Sequence, residues 1–158
     1  IKVRLTAKAN TEDQAIELLD TWDAKVRGQV EDLVFGVDAQ NMESVVLQKL
    51  REKKLTLGVA ESVTGGLVAG RLTAIAGASD VFRGAIVSYD SEIKFDLLNV
   101  TNGLVVSESA AKEMAIGVRK TLGSDIGLAL TGVAGPAEQL LPPPDTPPLV
   151  AVFVSTVK

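Results

Sequence analysis

The chain has 158 residues, no histidine, no cysteine and a formal net charge of −4. Those absences exclude disulfides, thiolate nucleophiles, Cys-based zinc sites, His-ligated metals and any Ser-His-Asp triad. Acid/base work in an enzyme of this composition falls to Lys, Asp, Glu or Tyr, and a metal could be held only by oxygen ligands. The acidic balance, without a basic block or basic helix face, argues against nucleic acid and anionic membranes as partners. No apolar run is long enough to span a bilayer and the N-terminus is not a signal peptide, so a cytoplasmic protein is expected. The length suits one domain with an appended piece.

In chain order, Lys2 to Lys8 alternates apolar Val3, Leu5 and Ala7 with polar neighbours and predicts a half-buried strand. Thr11 and Gln14 read as a capping box. It opens a helix whose apolar face is Ala15, Leu18, Leu19, Trp22 and Val26, ending near Gly28. Leu33 to Val37 predicts a second strand. This small β-α-β piece, residues 1–38, holds five basic and eight acidic residues, a net −3. Asn41 can cap a helix carrying Met42, Val45, Val46 and Leu50. Leu55 to Ala60 predicts a strand, Glu61 to Gly66 a turn, and Leu67 to Ile75 a helix. Val81 to Tyr89 reads as a strand interrupted by Gly84, followed by a short helix from Ser91 to Leu98. Ser107 caps a longer helix closed by Gly123, and Ile126 to Thr131 is a strand. All six prolines lie between Pro136 and Pro148, which predicts a stiff extended loop; Leu149 to Val157 is a last β-branched strand. Strands alternating with helices from residue 39 on predict an α/β domain with a largely parallel sheet.

In such sheets, sites form beyond the carboxyl ends of the strands. Three polar turns occupy that place. In the first, Ser62 stands between a strand and a helix, with Gly65 and Gly66 leaving main-chain N–H groups able to meet an anion or oxyanion. Ser62 is either a nucleophile or, with Thr64, an ordinary helix cap. The pattern is neither a Walker A loop nor a nucleophile elbow. The second turn puts Tyr89 at a strand end and Lys94 in the first turn of a helix. The helix dipole lowers the pKa of an amine there, as a lysine base requires; Asp90 and Glu92 push the other way, and a solvated surface lysine is the alternative. The third, Thr131-Gly132-Val133-Ala134-Gly135-Pro136, lets a ligand approach the backbone, or is a plain strand-to-loop turn. Its G-x-x-G also matches the phosphate clamp of KH domains, without basic surroundings to support it.

Taken together, Ala60-Glu61-Ser62-Val63-Thr64-Gly65-Gly66, Ser88-Tyr89-Asp90-Ser91-Glu92-Ile93-Lys94 and Thr131-Gly132-Val133-Ala134-Gly135-Pro136 resemble the signatures of the CinA competence/damage-inducible family, in its C-terminal, PncC-like nicotinamide-nucleotide amidohydrolase domain. Val81-Phe82-Arg83-Gly84, Leu97-Leu98-Asn99-Val100 and Val106-Ser107-Glu108 fall in family order between them. Several ordered motifs over about a hundred residues are far more specific than any one short pattern. The resemblance implies a three-layer α/β/α sandwich over residues 39–158, expected to lack the family's C-terminal end, preceded at 1–38 by part of a KH-type linking domain. It implies hydrolysis of the carboxamide of nicotinamide mononucleotide to nicotinate mononucleotide and ammonia, as part of pyridine-nucleotide recycling. It further implies a homodimer that needs no cofactor and no metal. In this reading Ser62 is the nucleophile, Lys94 the base, and Tyr89 relays the proton or orients the serine. Thr64, Gly65 and Gly66 hold the oxyanion, and Thr131, Gly132 and Gly135 line the nucleotide site. The chain departs from the family at Val63, where a cysteine is usual, at Ser91 and Ile93 near Lys94, and at Leu149-Val150 and the loop before it. The departures at Ser91, Ile93 and in the loop motivate the alternative: a competence- or DNA-damage-associated binding module with a lapsed site.

Overall fold

The computed structural model describes residues 1–133 and the main chain of 151–156. The chain divides into two compact units, Ile1–Met42 and Glu43–Lys158.

In the first unit the only regular elements are helix α1 (Glu12–Val30) and a 3-10 turn (Glu31–Leu33). The predicted cap is present: Thr11 Oγ1 accepts a hydrogen bond from Gln14 N at 3.3 Å. Ala15, Leu19 and Val26 are half-buried as their spacing requires, while Trp22 stays exposed, with Lys25 Nζ 4.3 Å above its ring. The two predicted strands are corrected. Neither Lys2–Lys8 nor Leu33–Val37 enters a ladder, so the β-α-β piece reduces to its helix. Alternation marks a face to bury, but a strand exists only when a neighbour takes its main-chain hydrogen bonds, and here the two segments do not pair.

The second unit is a three-layer α/β/α sandwich. Its elements are α2 (Met42–Lys53), β1 (Leu57–Glu61), α3 (Leu67–Thr73), β2 (Phe82–Val87), α4 (Ser91–Leu98), α5 (Glu108–Leu122), β3 (Ile126–Thr131) and β4 (Ala151–Thr156). The sheet order is β2-β1-β3-β4. β1 runs parallel to β2 and to β3, whereas β4 lies antiparallel on β3. Every residue of β1 is buried, because it is central and covered on both faces.

Side chains alternate across the sheet. Leu57 and Val59 of β1, with Ile126, Leu128 and Leu130 of β3, meet α2 and α3 through Leu47, Leu50 and Leu72. Ala60 and Ala129 face the other way, onto α4 and α5 through Leu98, Ala110, Met114, Ala115 and Val118. The small residues on that face let α5 lie close to the strands. At Gly127 the approach is closest: a Cβ would collide with the main-chain oxygen of Ala115 and stand 2.9 Å from Cβ of Arg119. Gly84, read as an interruption of β2, is a bulge. Leu57 pairs with Phe82 and Gly58 with Gly84, so Arg83 is passed over, and Gly84 takes φ +137.

Capping follows local chemistry. Asp90 accepts from Glu92 N at the start of α4, and Ser107 accepts from Ala110 N at the start of α5. Asn99 and Gly123 close those helices in the left-handed conformation. At the amino end of the sheet Asp125 takes Thr56 N (2.8 Å) and Thr56 Oγ1 (2.7 Å), joining the entries to β3 and β1. The proline-rich segment, with Gly135, Leu149 and Val150, lies outside the described residues.

Candidate active site

The carboxyl ends of β1, β2 and β3 open into a cleft of about 280 Å³ lined by Ser62, Val63, Tyr89, Ser91, Lys94, Val105, Val106, Thr131, Gly132 and Val133. Residues from all three predicted turns therefore meet. From β1 the chain crosses through α3 on one face, and from β2 it crosses through α4 and α5 on the other. In the order β2-β1-β3 the chain therefore leaves β1 to one side and comes back to β3 on the other, and the opening beyond β1 and β3 is the topological switch point, where ligands bind in open α/β sheets.

Ser62 continues the line of β1. Its N–H donates to Leu130 O at 3.0 Å, and the preceding carbonyl, Glu61 O, accepts from Ser88 N at 2.8 Å. The serine is 7% exposed and its hydroxyl has no hydrogen bond with the described residues.

The start of α3 differs from the helix-cap reading. Neither Ser62 nor Thr64 caps it. The residue at the cap is Gly66, with φ +98, after Gly65 at φ +60, and both conformations favour glycine. The side chain that satisfies the helix start is Glu61. Fully buried, it takes Gly66 N (3.1 Å) and Val68 N (3.0 Å) on Oε2 and Ala69 N (2.8 Å) on Oε1. Gly65 N is also engaged, with Ser62 O at 3.0 Å. Gly65 and Gly66 therefore have no N–H left for an oxyanion. The main-chain N–H groups of Val63 and Thr64 remain without a partner among the described residues, as does the buried Thr64 Oγ1. Sequence reasoning gave Glu61 no role. The available signal was an acid at the last strand position before a glycine turn, where a carboxylate meets the positive end of the following helix.

Lys94 is 2% exposed, which overturns the surface-lysine alternative. Its Nζ donates to Ser88 O at 2.6 Å and to Tyr89 O at 3.3 Å. Burial lowers its pKa from the ordinary 10.5, and the nearby Asp90 carboxylate opposes that only in part. No hydrogen bond joins Lys94 to Ser62, although both line the cleft. Tyr89 reaches the cleft rim but is 69% exposed, and its hydroxyl makes no hydrogen bond with Ser62. Its contact with the lysine is through its carbonyl.

Thr131 is fully buried. Its hydroxyl donates to Val105 O at 2.8 Å, fixing the Val105–Val106 wall of the cleft. Ser91 lines the cleft and Ile93 does not. Among the described residues no cluster of His, Cys, Asp or Glu could hold a metal, and no helix is long and apolar enough to cross a membrane.

Fold and site together define an α/β domain that gathers a serine hydroxyl without a partner among the described residues and a desolvated lysine beyond the ends of parallel strands. The family described as CinA C-terminal domain matches residues 39–146, and the chain belongs to it. Among curated relatives it is 46% identical over 143 residues to a CinA-like protein of Frankia casuarinae, covering 87% of this chain and 33% of that one. It is 43% identical over 141 residues to a CinA-like protein of Synechococcus sp., covering 86% and 33%. The chain spans about a third of the length of these relatives. Among solved structures it is similar to the competence/damage inducible protein CihA from Agrobacterium tumefaciens. That match has a TM-score of 0.67 and 31% identity, covering 78% of this chain and 76% of that one. A CinA superfamily protein from Escherichia coli matches with a TM-score of 0.64 and 25% identity, covering 82% and 86%.

Proposed function

We propose that the second unit is an amidohydrolase that converts nicotinamide mononucleotide to nicotinate mononucleotide and ammonia. The observation that carries this reading is Lys94: a buried lysine with a lowered pKa in the same cleft as a serine whose hydroxyl has no partner among the described residues. A neutral amine has two N–H groups and one lone pair. Ser88 O and Tyr89 O take the two N–H groups, so the lone pair is left to accept the Ser62 proton.

In this mechanism Ser62 Oγ attacks the carboxamide carbon as its proton passes to Lys94 Nζ. The resulting oxyanion is held by the N–H groups of Val63 and Thr64, since those of Gly65 and Gly66 are engaged. Lys94 returns the proton to the amide nitrogen, the C–N bond breaks and ammonia leaves. Water, deprotonated by Lys94, then cleaves the acyl ester, releasing the acid and restoring Ser62. Val105, Val106, Thr131 and Gly132 form the wall against which the nucleotide packs.

The test is ammonia release from nicotinamide mononucleotide by the wild type, Ser62→Ala and Lys94→Ala. Wild-type turnover with both variants reduced by about 1,000-fold or more is expected, the scale of losing a nucleophile or its base. Full activity in both variants sinks the mechanism. One observation favours a second reading, a binding module without turnover: Lys94 Nζ bonds to carbonyls and not to Ser62 Oγ. Tight binding of the nucleotide with no ammonia released by the wild type would select it.

A further inference from the structure

Glu61 is the one buried acid among the described residues. It is one residue before Ser62, and among the described residues its carboxylate meets no cation: its three hydrogen bonds come from main-chain N–H groups at the start of α3. Three charge-assisted bonds to one buried carboxylate are a strong local constraint. They span Gly66 to Ala69 and close the left-handed turn at Gly65 and Gly66 over the segment Ser62–Thr64. The other side of that segment is pinned by strand hydrogen bonds, Ser62 N to Leu130 O and Ser88 N to Glu61 O. Ser88 in turn holds Lys94 through its own carbonyl.

We propose that Glu61 is a positioning residue for the nucleophile: its carboxylate locks the β1–α3 turn so that the Ser62 hydroxyl and the Val63 and Thr64 N–H groups keep a fixed place relative to Lys94. The same bonds neutralise the start of α3, so an anionic group of the substrate finds no free donors at Gly66, Val68 or Ala69. This rests on the reading of Ser62 as nucleophile, and it adds a residue that touches neither substrate nor base.

The experiment compares the full chain with Glu61→Gln and Glu61→Ala. Gln keeps the shape but has one acceptor oxygen, and its NH2 group points a donor at N–H groups that are donors already. Should Glu61→Ala fail to fold, Glu61→Gln carries the test. Three quantities are read: amide hydrogen exchange at Gly66, Val68 and Ala69 with Leu128 as reference, kcat and KM for ammonia release, and the rate at which a fluorophosphonate probe labels Ser62. The expected result is exchange faster by about tenfold at the three turn amides and unchanged at Leu128, as for the loss of a hydrogen bond. In the same variants kcat falls about 100-fold, the scale of a misplacement of about 1 Å. KM stays within about threefold, since no substrate contact is removed. Unchanged exchange at the three amides overturns the proposal, and so does a kcat within about threefold of wild type despite faster exchange. If the wild type releases no ammonia, the amidohydrolase reading falls separately, and the labelling rate of Ser62 is judged by the same 100-fold expectation. A wild-type Ser62 that the probe does not label overturns both.

Discussion

Replacing Thr131 by Val tests how the cleft wall is held. The two side chains have nearly the same shape, so the change removes a hydroxyl without opening a cavity. In the native protein that hydroxyl donates to Val105 O at 2.8 Å from a fully buried position. After substitution the carbonyl of Val105, itself a buried residue, has lost its donor. Leaving a buried acceptor unsatisfied costs about 1–3 kcal/mol, so about 2 kcal/mol is expected. For a chain of this size that lowers the midpoint of thermal unfolding by about 4–8 °C. Thr131→Ser keeps the donor and loses one methyl group, about 1 kcal/mol, and so should be the milder variant. The assay is urea unfolding followed by circular dichroism with amide exchange in the second unit. Trp22, the single tryptophan, lies in the first unit, so its fluorescence reports the wrong part of the chain. A loss below about 0.5 kcal/mol for Thr131→Val, or a larger loss for Thr131→Ser, would refute the tether as the source of the wall's stability.

Gly127→Ala places a Cβ against the main chain of α5, which cannot rotate away; destabilisation of about 3 kcal/mol is expected by the same unfolding assay. By contrast Gly28→Ala, in α1 with nothing within 4 Å of the added Cβ, should stabilise that helix by about 0.5–1 kcal/mol, measured as helicity against temperature. For Lys94, burial holds the folded-state pKa below 10.5, so the log of kcat should rise with pH through that lowered value and then level off, and Lys94→Arg should remove the limb. Between the lowered value and 10.5 the unfolded chain binds more protons, so stability also rises with pH in that window; a flat profile in both measurements would contradict a desolvated lysine. Asp125 has a pKa below its ordinary 3.8 because Thr56 donates to it from side chain and main chain. Its stabilisation is complete above 3.8 and lost as pH falls through the folded-state value, so Asp125→Asn should flatten the acid limb of the stability curve.

Much of the second unit is legible from residue order. Ser91–Leu98 and Ile126–Thr131 have the predicted limits, Ser107 and Gly123 cap α5 as their chemistry requires, and Gly84 marks a real break in β2. These features depend on near neighbours along the chain: helical spacing, a hydroxyl three residues from an N–H, a glycine able to take positive φ. The three polar turns are legible too, and their order carried the family resemblance. Tertiary structure alone decided which groups those turns leave available. The Glu61 carboxylate, not Ser62 or Thr64, satisfies the start of α3, and among the described residues this leaves the unpartnered N–H groups of the turn at Val63 and Thr64. Lys94 is buried and Tyr89 exposed, although the two are five residues apart on one turn and its helix. The strands predicted at Lys2–Lys8 and Leu33–Val37 fail for the same reason. Hydrogen-bond partners across a fold, and the water excluded from a cleft, are set by segments distant in sequence, and a local pattern of residue types does not encode them.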